Sequence, residues 1–377
     1  MNPLTDERRA WLTLKLTPEL GNRSLLRLME RFGSPSAVLR ADAKSLNEVD
    51  GLRRKAVDSL LQRRLTRPVE EEWEALEEGG YRLLCLTDGD YPSNLKTIAD
   101  PPAVLYVDGS IESRDLVSVA VVGSRAASPM GCAFTERLCT DLAKSGVTVV
   151  SGLAVGIDGA AHRGALKGEG RTIAVLGCGL DVDYPRENRK LRGDVPSSGA
   201  VVSEFSLGTV PTPGHFPQRN RIISGLALGV VVVEAAHRSG SLITARLALE
   251  QGREVFAVPG LARHYRSVGP HRLLKQGAKL VENAEDVLEE LRSMIRPSGQ
   301  KIALTSTPNL ARGAVEGLNE DEASVLALLD QSPRHIDELT RAKEWPVARV
   351  MSALSALELK GIVRQLPGMH FVVEPRT

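Results

Sequence analysis

Val119-Ala120-Val121-Val122-Gly123-Ser124-Arg125 reads as a short buried strand ending in a small turn, and Ser128-Pro129 then opens a helix. Ser is a good N-cap, and Pro suits the first helical position because its missing N–H would be unpaired there anyway. A strand that runs through such a turn into a helix presents free backbone N–H groups at the partial positive end of that helix. This geometry collects anions, phosphates above all. Arg125 adds a fixed charge whose planar fork matches phosphate oxygens. The next unit repeats the grammar: strand Thr148-Val149-Val150, turn Ser151-Gly152, then Gly156-Ile157-Asp158-Gly159 opening a helix that carries His162. On these residues alone a nucleotide turn and a nucleic-acid site are equally open.

Outward from that stretch, strands and helices alternate without a break from Leu116 to Leu291. The remaining strands are Thr172–Leu176, Ala200–Ser203, Gly229–Glu234, Val255–Val258 and Lys279–Val281. Val-rich runs separated by helical stretches predict a parallel sheet covered on both faces. The fold class is therefore α/β, an extended Rossmann-like, doubly wound parallel sheet. Ligands of such sheets sit at the carboxyl ends of the strands, and Gly123, Gly152, Gly177 and Glu234 fall at or just beyond those ends.

The chain has 377 residues, room for two or three domains. Its formal charge of +1 names no partner. The four cysteines, Cys85, Cys132, Cys139 and Cys178, form no CxxC pair, which fits a reduced protein without structural zinc. No apolar run is long enough to span a membrane, and the first residues lack a signal-peptide pattern. A cytoplasmic location, no metal and no cofactor are the expectations. Aromatic residues make up only 4%, too few for a platform that stacks many bases.

Smaller regions flank the sheet. Residues 1–66 read as short helices broken by glycines, an N-terminal helical domain. Its Val49-Asp50-Gly51-Leu52 turn is similar to the hairpin of helix-hairpin-helix and sterile-alpha-motif-like modules. That match is short, and the region reads first as a packing module. Residues 80–295 form the Rossmann-type domain, and 296–319 a Ser/Pro/Gly-rich linker. Residues 320–377 show three helices and a hairpin around Pro367-Gly368, a winged-helix-like order whose third helix often reads DNA. From 321 to 377 there are 7 Lys and Arg against 8 Asp and Glu, so a protein-contact or dimer role is the first reading.

Charge gathers instead between Val210 and Leu280, with 10 Lys and Arg against 3 Asp and Glu. Phe216-Pro217-Gln218-Arg219-Asn220-Arg221 precedes a helix expected over Ile222–Leu228. Ala236-His237-Arg238-Ser239-Gly240-Ser241 opens another, a second strand-turn-helix anion site. Several phosphate sites in one domain favour a polyanion over a mononucleotide. Arg219 and Arg221 are equally open to pairing with Glu204, Glu234 or Asp158 as scaffold. Asp158, His162 and Glu234 could serve as acid–base groups, but the Asp158–His162 spacing is a common helical pair. No G-x-G-x-x-G follows the Val119 strand, which reads G-S-R-A-A-S. Leu261, Leu273 and Leu274 are candidates for a dimer face.

Five successive motifs, Val-Val-Gly-Ser-Arg, Ser-Gly-Leu-Ala-Val-Gly-Ile-Asp-Gly-Ala-Ala-His, Gly-Cys-Gly-Leu-Asp-Val-Asp-Tyr-Pro, Phe-Pro-Gln-Arg-Asn-Arg-Ile-Ile-Ser-Gly-Leu and Ser-Gly-Ser-Leu-Ile-Thr-Ala, resemble the DNA-processing protein A family, DprA or Smf. The resemblance covers about residues 80 to 293. It implies sequence-independent binding of single-stranded DNA, protection of incoming strands, loading of the RecA recombinase during natural transformation, and a homodimer. Contact with a single-strand-binding protein is a further expectation. The resemblance also implies DNA contacts at Gly123, Ser124, Arg125, Phe216 (as a base-stacking residue), Arg219, Asn220, Arg221, Arg238, Ser239 and Gly240. One departure is Pro213, where some members carry lysine. The alternative is a nucleotide-processing enzyme of the same fold, similar to phosphoribohydrolases. Their Pro-Gly-Gly-x-Gly-Thr turn reads His237-Arg238-Ser239-Gly240-Ser241 here.

Overall fold

The structure, a computed structural model, describes residues 3–295, 319–329, 334–343, 345–360, 362–366 and 369–373. The expected linker thus lies outside the described residues except for Asn319, and so does the Pro367-Gly368 turn. The chain divides into two units, one ending at Thr305 and one beginning at Ser306.

The first unit opens with α1 (Pro3–Leu16), α2 (Asn22–Phe32), α3 (Pro35–Arg40), α4 (Ala43–Asn47), α5 (Arg54–Leu61) and α6 (Val69–Glu78). A hairpin follows, built of β1 (Arg82–Cys85), the single-turn α7 (Ser93–Lys96) and β2 (Val104–Gly109). The alternating part begins with β3 (Ser118–Val122), α8 (Pro129–Lys144), β4 (Thr148–Ser151), α9 (Ile157–Lys167) and β5 (Thr172–Val175). It continues through α10 (Arg189–Asp194), β6 (Gly199–Ser203), α11 (His215–Leu226), β7 (Gly229–Val232) and α12 (Gly240–Glu250). It closes with β8 (Glu254–Ala257), α13 (Val268–Lys275), β9 (Lys279–Leu280) and α14 (Ala284–Ile295).

Among the described residues these strands form a nine-stranded sheet in the order β1-β2-β6-β5-β4-β3-β7-β8-β9. Strands β3 to β9 pair in parallel, as the Val-rich runs predict. β1 and β2 add an antiparallel edge, with β2 antiparallel to β6. The physical reason is the short connection through α7, since a parallel return needs a full crossover helix. Alternate side chains of β3 serve opposite faces. Val119 and Val121 join the apolar cluster under α8 and α9, while Ala120 and Val122 join the one under α11 and α12. The chain winds outward from β3 to β6, then returns to β7 on the other flank of β3. The switch point therefore lies between β3 and β7, where crevices form in such sheets.

The helices read from the sequence as a domain of their own share an apolar core with one end of the sheet. Trp11, Leu28 and Leu46 belong to the same buried cluster as Tyr106, Cys178 and Leu180. The four cysteines are free, and Cys85, Cys139 and Cys178 are buried. Among the described residues no helix is long and apolar enough to cross a membrane.

The second unit has its own core, formed by Val325, Leu339, Leu354 and Phe371 among others. It contains α15 (Glu320–Leu326), β10 (Arg334–His335), α16 (Ile336–Lys343), α17 (Val347–Leu359), β11 (Val363–Leu366) and β12 (His370–Val373). β10 joins the expected hairpin to give the sheet β10-β12-β11.

Candidate nucleic-acid interface

The switch point brings the turn after β3 beside the loop after β7. Ser128 caps α8 as expected, its Oγ accepting the Gly131 N–H at 2.9 Å. Two of the amides expected there, those of Ser128 and Gly131, are nevertheless filled from within. Glu234 accepts a hydrogen bond from the Ser128 N–H at 2.9 Å and another from the Ser128 hydroxyl. Arg266 backs the same carboxylate at 3.8 Å. A carboxylate at a helix N-terminus is stabilised by the free N–H groups and the macrodipole together. Gly131 makes room for it, because a Cβ there would lie 2.6 Å from Glu234 Oε1.

Gly123 is equally committed. Its N–H and that of Ala154 donate to the buried Asp158 carboxylate, whose pKa is raised by burial against the pull of Arg219. A Cβ on Gly123 would lie 2.6 Å from Ile157, so the residue serves close packing. Gly156, with φ +87°, lets the chain pass under the Ser124 carbonyl. The turn is therefore held rigid, and Arg125 stands exposed on it.

The guanidinium of Arg125 lies 4.7 Å from the centroid of the Phe216 ring. Phe216 itself corrects the expected loop, because α11 already begins at His215. Pro217 fits that first turn, where no backbone donor is needed. The Phe216 ring lies 5.7 Å from Tyr184, and Gly177 leaves it space. His215 stacks on Phe205 at 4.3 Å and completes the anchoring of this helix start.

The next turn of α11 faces inward, which corrects the expected contacts at Arg219, Asn220 and Arg221. Arg219 is 4% exposed, and its Nη1 donates to the carbonyls of Gly152 and Val175, ending β4 and β5. Burial pulls its pKa down to about 10. Gly152 is where the guanidinium fits, since a Cβ would lie 2.4 Å from Nη1. Arg221 binds Glu204 at 2.5 Å and Asp100 at 3.2 Å. Asn220 donates to the Gly240 carbonyl at 3.3 Å. These three side chains tie the helix to β4, β5, β6 and the start of α12.

The second anion site differs from the first. Ser239 caps α12 through the Ser241 N–H at 3.4 Å. Arg238 and Gly240 are exposed, and a Cβ on Gly240 would meet nothing within 4 Å. One of the two expected anion sites is thus closed and the other open. The groups weighed for acid–base work are structural. His162 is fully buried, with Nδ1 2.7 Å from Thr172 Oγ1, and burial lowers its pKa to about 3. Among the described residues no three His, Cys, Asp or Glu are grouped to hold a metal.

Sequence reasoning missed Tyr184 and the pair Tyr265–Arg266. Arg266 lies 4.6 Å over the Tyr265 ring and donates to the Ala126 carbonyl at 2.7 Å, beside Arg125. Tyr265 is 54% exposed. Of the proposed dimer leucines, Leu261 is exposed, whereas Leu273 is buried in the core under α12.

The family model described as DNA recombination-mediator protein A matches residues 82–292. The chain is 38% identical to "Protein Smf" of Escherichia coli (strain K12) over 95% of this chain and 94% of that one. The chain belongs to the DprA/Smf family. A DprA winged helix domain model matches residues 310–369. "DNA processing protein DprA" of Streptococcus pneumoniae is 47% identical over 54% of this chain and 72% of its own. The crystal structure of DprA from Streptococcus pneumoniae superposes with a TM-score of 0.67 and 38% identity, covering 74% of this chain and 97% of that one. DNA processing protein A from Helicobacter pylori, described for its single-stranded DNA binding mode, gives a TM-score of 0.51 and 31% identity over 57% and 96%.

Proposed function

We propose that this DprA/Smf family member binds single-stranded DNA, without sequence preference, across the carboxyl edge of its sheet. The observation that supports this most is the Arg125–Phe216 pair, an exposed cation over a half-buried ring, together with the exposed start of α12. A ring offers a π-face to any base, and arginines meet phosphates whatever the sequence. The contact set in this reading is Ser124, Arg125, Phe216, Arg238, Ser239 and Gly240, with Gly123, Arg219, Asn220 and Arg221 holding it in place. The relative from Helicobacter pylori, described as binding single-stranded DNA, supports the same reading.

In this reading the protein is a cytoplasmic mediator rather than an enzyme. It protects incoming strands, loads the RecA recombinase during natural transformation, and works as a homodimer in contact with single-strand-binding protein. Against turnover stand Glu234 and His162, both engaged in helix capping or core contacts. A salt-titrated gel shift with single and double strands of mixed sequence tests the proposal. Single strands of every sequence should bind alike, with affinity falling steeply in salt. Equal affinity for duplex, or product formed from labelled strands, would refute it.

A further inference from the structure

The helices before the sheet carry charge that the proposed groove does not use. Residues 1–66 hold 13 Lys and Arg against 8 Asp and Glu, in a chain whose net charge is +1. Part of this excess lines an open groove of about 620 Å³ between the start of α2 and the Gly51–Arg53 turn. Arg23, Arg27 and Arg53 line it, with Glu19 as the one carboxylate among the lining residues. Arg23 and Arg53 meet their nearest carboxylates, Asp100 and Glu19, only at 3.9 and 4.0 Å, and their side chains are 84% and 80% exposed. Exposed pairs at that distance neutralise little of either charge.

Arg27 is held differently. Its Nη1 donates to the Asp50 carbonyl at 3.1 Å. Gly51 answers two needs at once: φ is +69°, and a Cβ would lie 1.7 Å from that nitrogen. The hairpin thus fixes the guanidinium fork while leaving it exposed. Beside it, α2 starts at Gly21 with no side-chain cap on its first amides.

The place of this groove in the fold gives it meaning. Asn22 donates to Asp100 at 2.6 Å and to the Pro101 carbonyl, and it accepts from the Ala103 N–H. Asp100 in turn binds Arg221 of α11. Because β2 runs antiparallel to β6, its first residues lie at the carboxyl end of β6. The groove therefore lies on the same edge of the sheet as Arg238, Arg125 and Phe216. From β7 to β2 there are five strand spacings in the sheet order, roughly 24 Å at about 4.8 Å each.

We propose that the groove lined by Arg23, Arg27 and Arg53 is a second phosphate-backbone site, which takes the continuation of a single strand held at Arg125 and Phe216. The inference rests on the single-strand reading of the sheet edge. The occupant is a polyanion in extended form, because three arginines around a shallow groove offer charge without a base pocket.

The full chain with Arg23, Arg27 and Arg53 all changed to Ala tests this against short and long oligothymidylates. Short strands that fill only the sheet edge should bind like the parent. Long strands should bind at least tenfold more weakly, with the log-affinity against log-salt slope reduced by about 2, roughly 0.7 for each lost contact. The Arg→Lys triple variant should keep the parent slope. If the triple Ala variant melts early, Arg23→Ala alone should lower the slope by about 0.7 for long strands only. Parent-like binding of long strands overturns the groove, and so does a loss confined to duplex. A parent indifferent to Arg125→Ala at every length overturns the sheet-edge reading instead.

Discussion

Arg125, on the turn after β3, lies over Phe216, on the first turn of α11, with 4.7 Å between guanidinium carbon and ring centroid. In the single-strand reading proposed above, the cation lies over a ring face that a base could take, so the two side chains would act as one surface. Arg125→Ala should flatten the plot of log affinity against log salt by about 0.7 for a single strand. Phe216→Ala should cost about 1–3 kcal/mol with that slope nearly unchanged. The double variant should depart from additivity by at least about 0.5 kcal/mol, as residues in contact do. Strict additivity in a double-mutant cycle would show that the pair is incidental.

Arg219 gives the contrasting expectation. Removing it strands the Gly152 and Val175 carbonyls and leaves Asp158 buried without its nearest cation. Arg219→Ala should destabilise the fold by about 3–5 kcal/mol. The salt slope of whatever remains folded should equal the parent's. A variant with normal thermal stability and a lower slope would return Arg219 to the DNA surface.

His162 makes the fold acid-sensitive. Its pKa falls from the ordinary 6.5 to about 3 in the folded chain, so the unfolded chain binds a proton that the folded one refuses. Stability is thus complete above about pH 6.5 and declines as pH falls toward 3, by up to about 1.4 kcal/mol per pH unit from this one group. Melting temperatures of the parent should drop more between pH 7 and 5 than those of His162→Gln. Parallel curves would refute the assignment.

The winged-helix unit should contribute little strand affinity. Arg349 is held bidentately by Asp321, at 2.6 and 2.8 Å, and lies 4.1 Å over Trp345. Deleting residues 320–377 should change single-strand affinity by no more than about threefold, under about 0.7 kcal/mol. A loss beyond tenfold would make α17 a DNA contact.

The parallel sheet was legible because Val-rich runs such as Gly229–Val232 can be little else when helices separate them. Arg125 and Arg238 could be marked as exposed candidates because they stand in turns that open helices, whereas the role expected of Phe216 came from the family resemblance. What could not be read was direction. Arg219 and Arg221 carry the same charge as Arg125, and only the early start of α11 at His215 turns them inward. Nor does local spacing show that Glu234, far along the chain from Ser128, reaches back to cap α8. That contact is set by strand order, because β7 lies next to β3.

The same contact has a physiological consequence. With Glu234 lodged against the first turn of α8, this strand-turn-helix already carries its own anion, and a nucleotide's phosphate arriving there meets like charge. A nucleotide such as ATP is left with the exposed start of α12 as a foothold. In the single-strand reading proposed above a polymer escapes that limit, because weak contacts at Arg238, Arg125 and Phe216 would add along one molecule. Millimolar ATP should therefore displace a bound strand no better than an equal ionic strength of salt, while Glu234→Ala should let it compete.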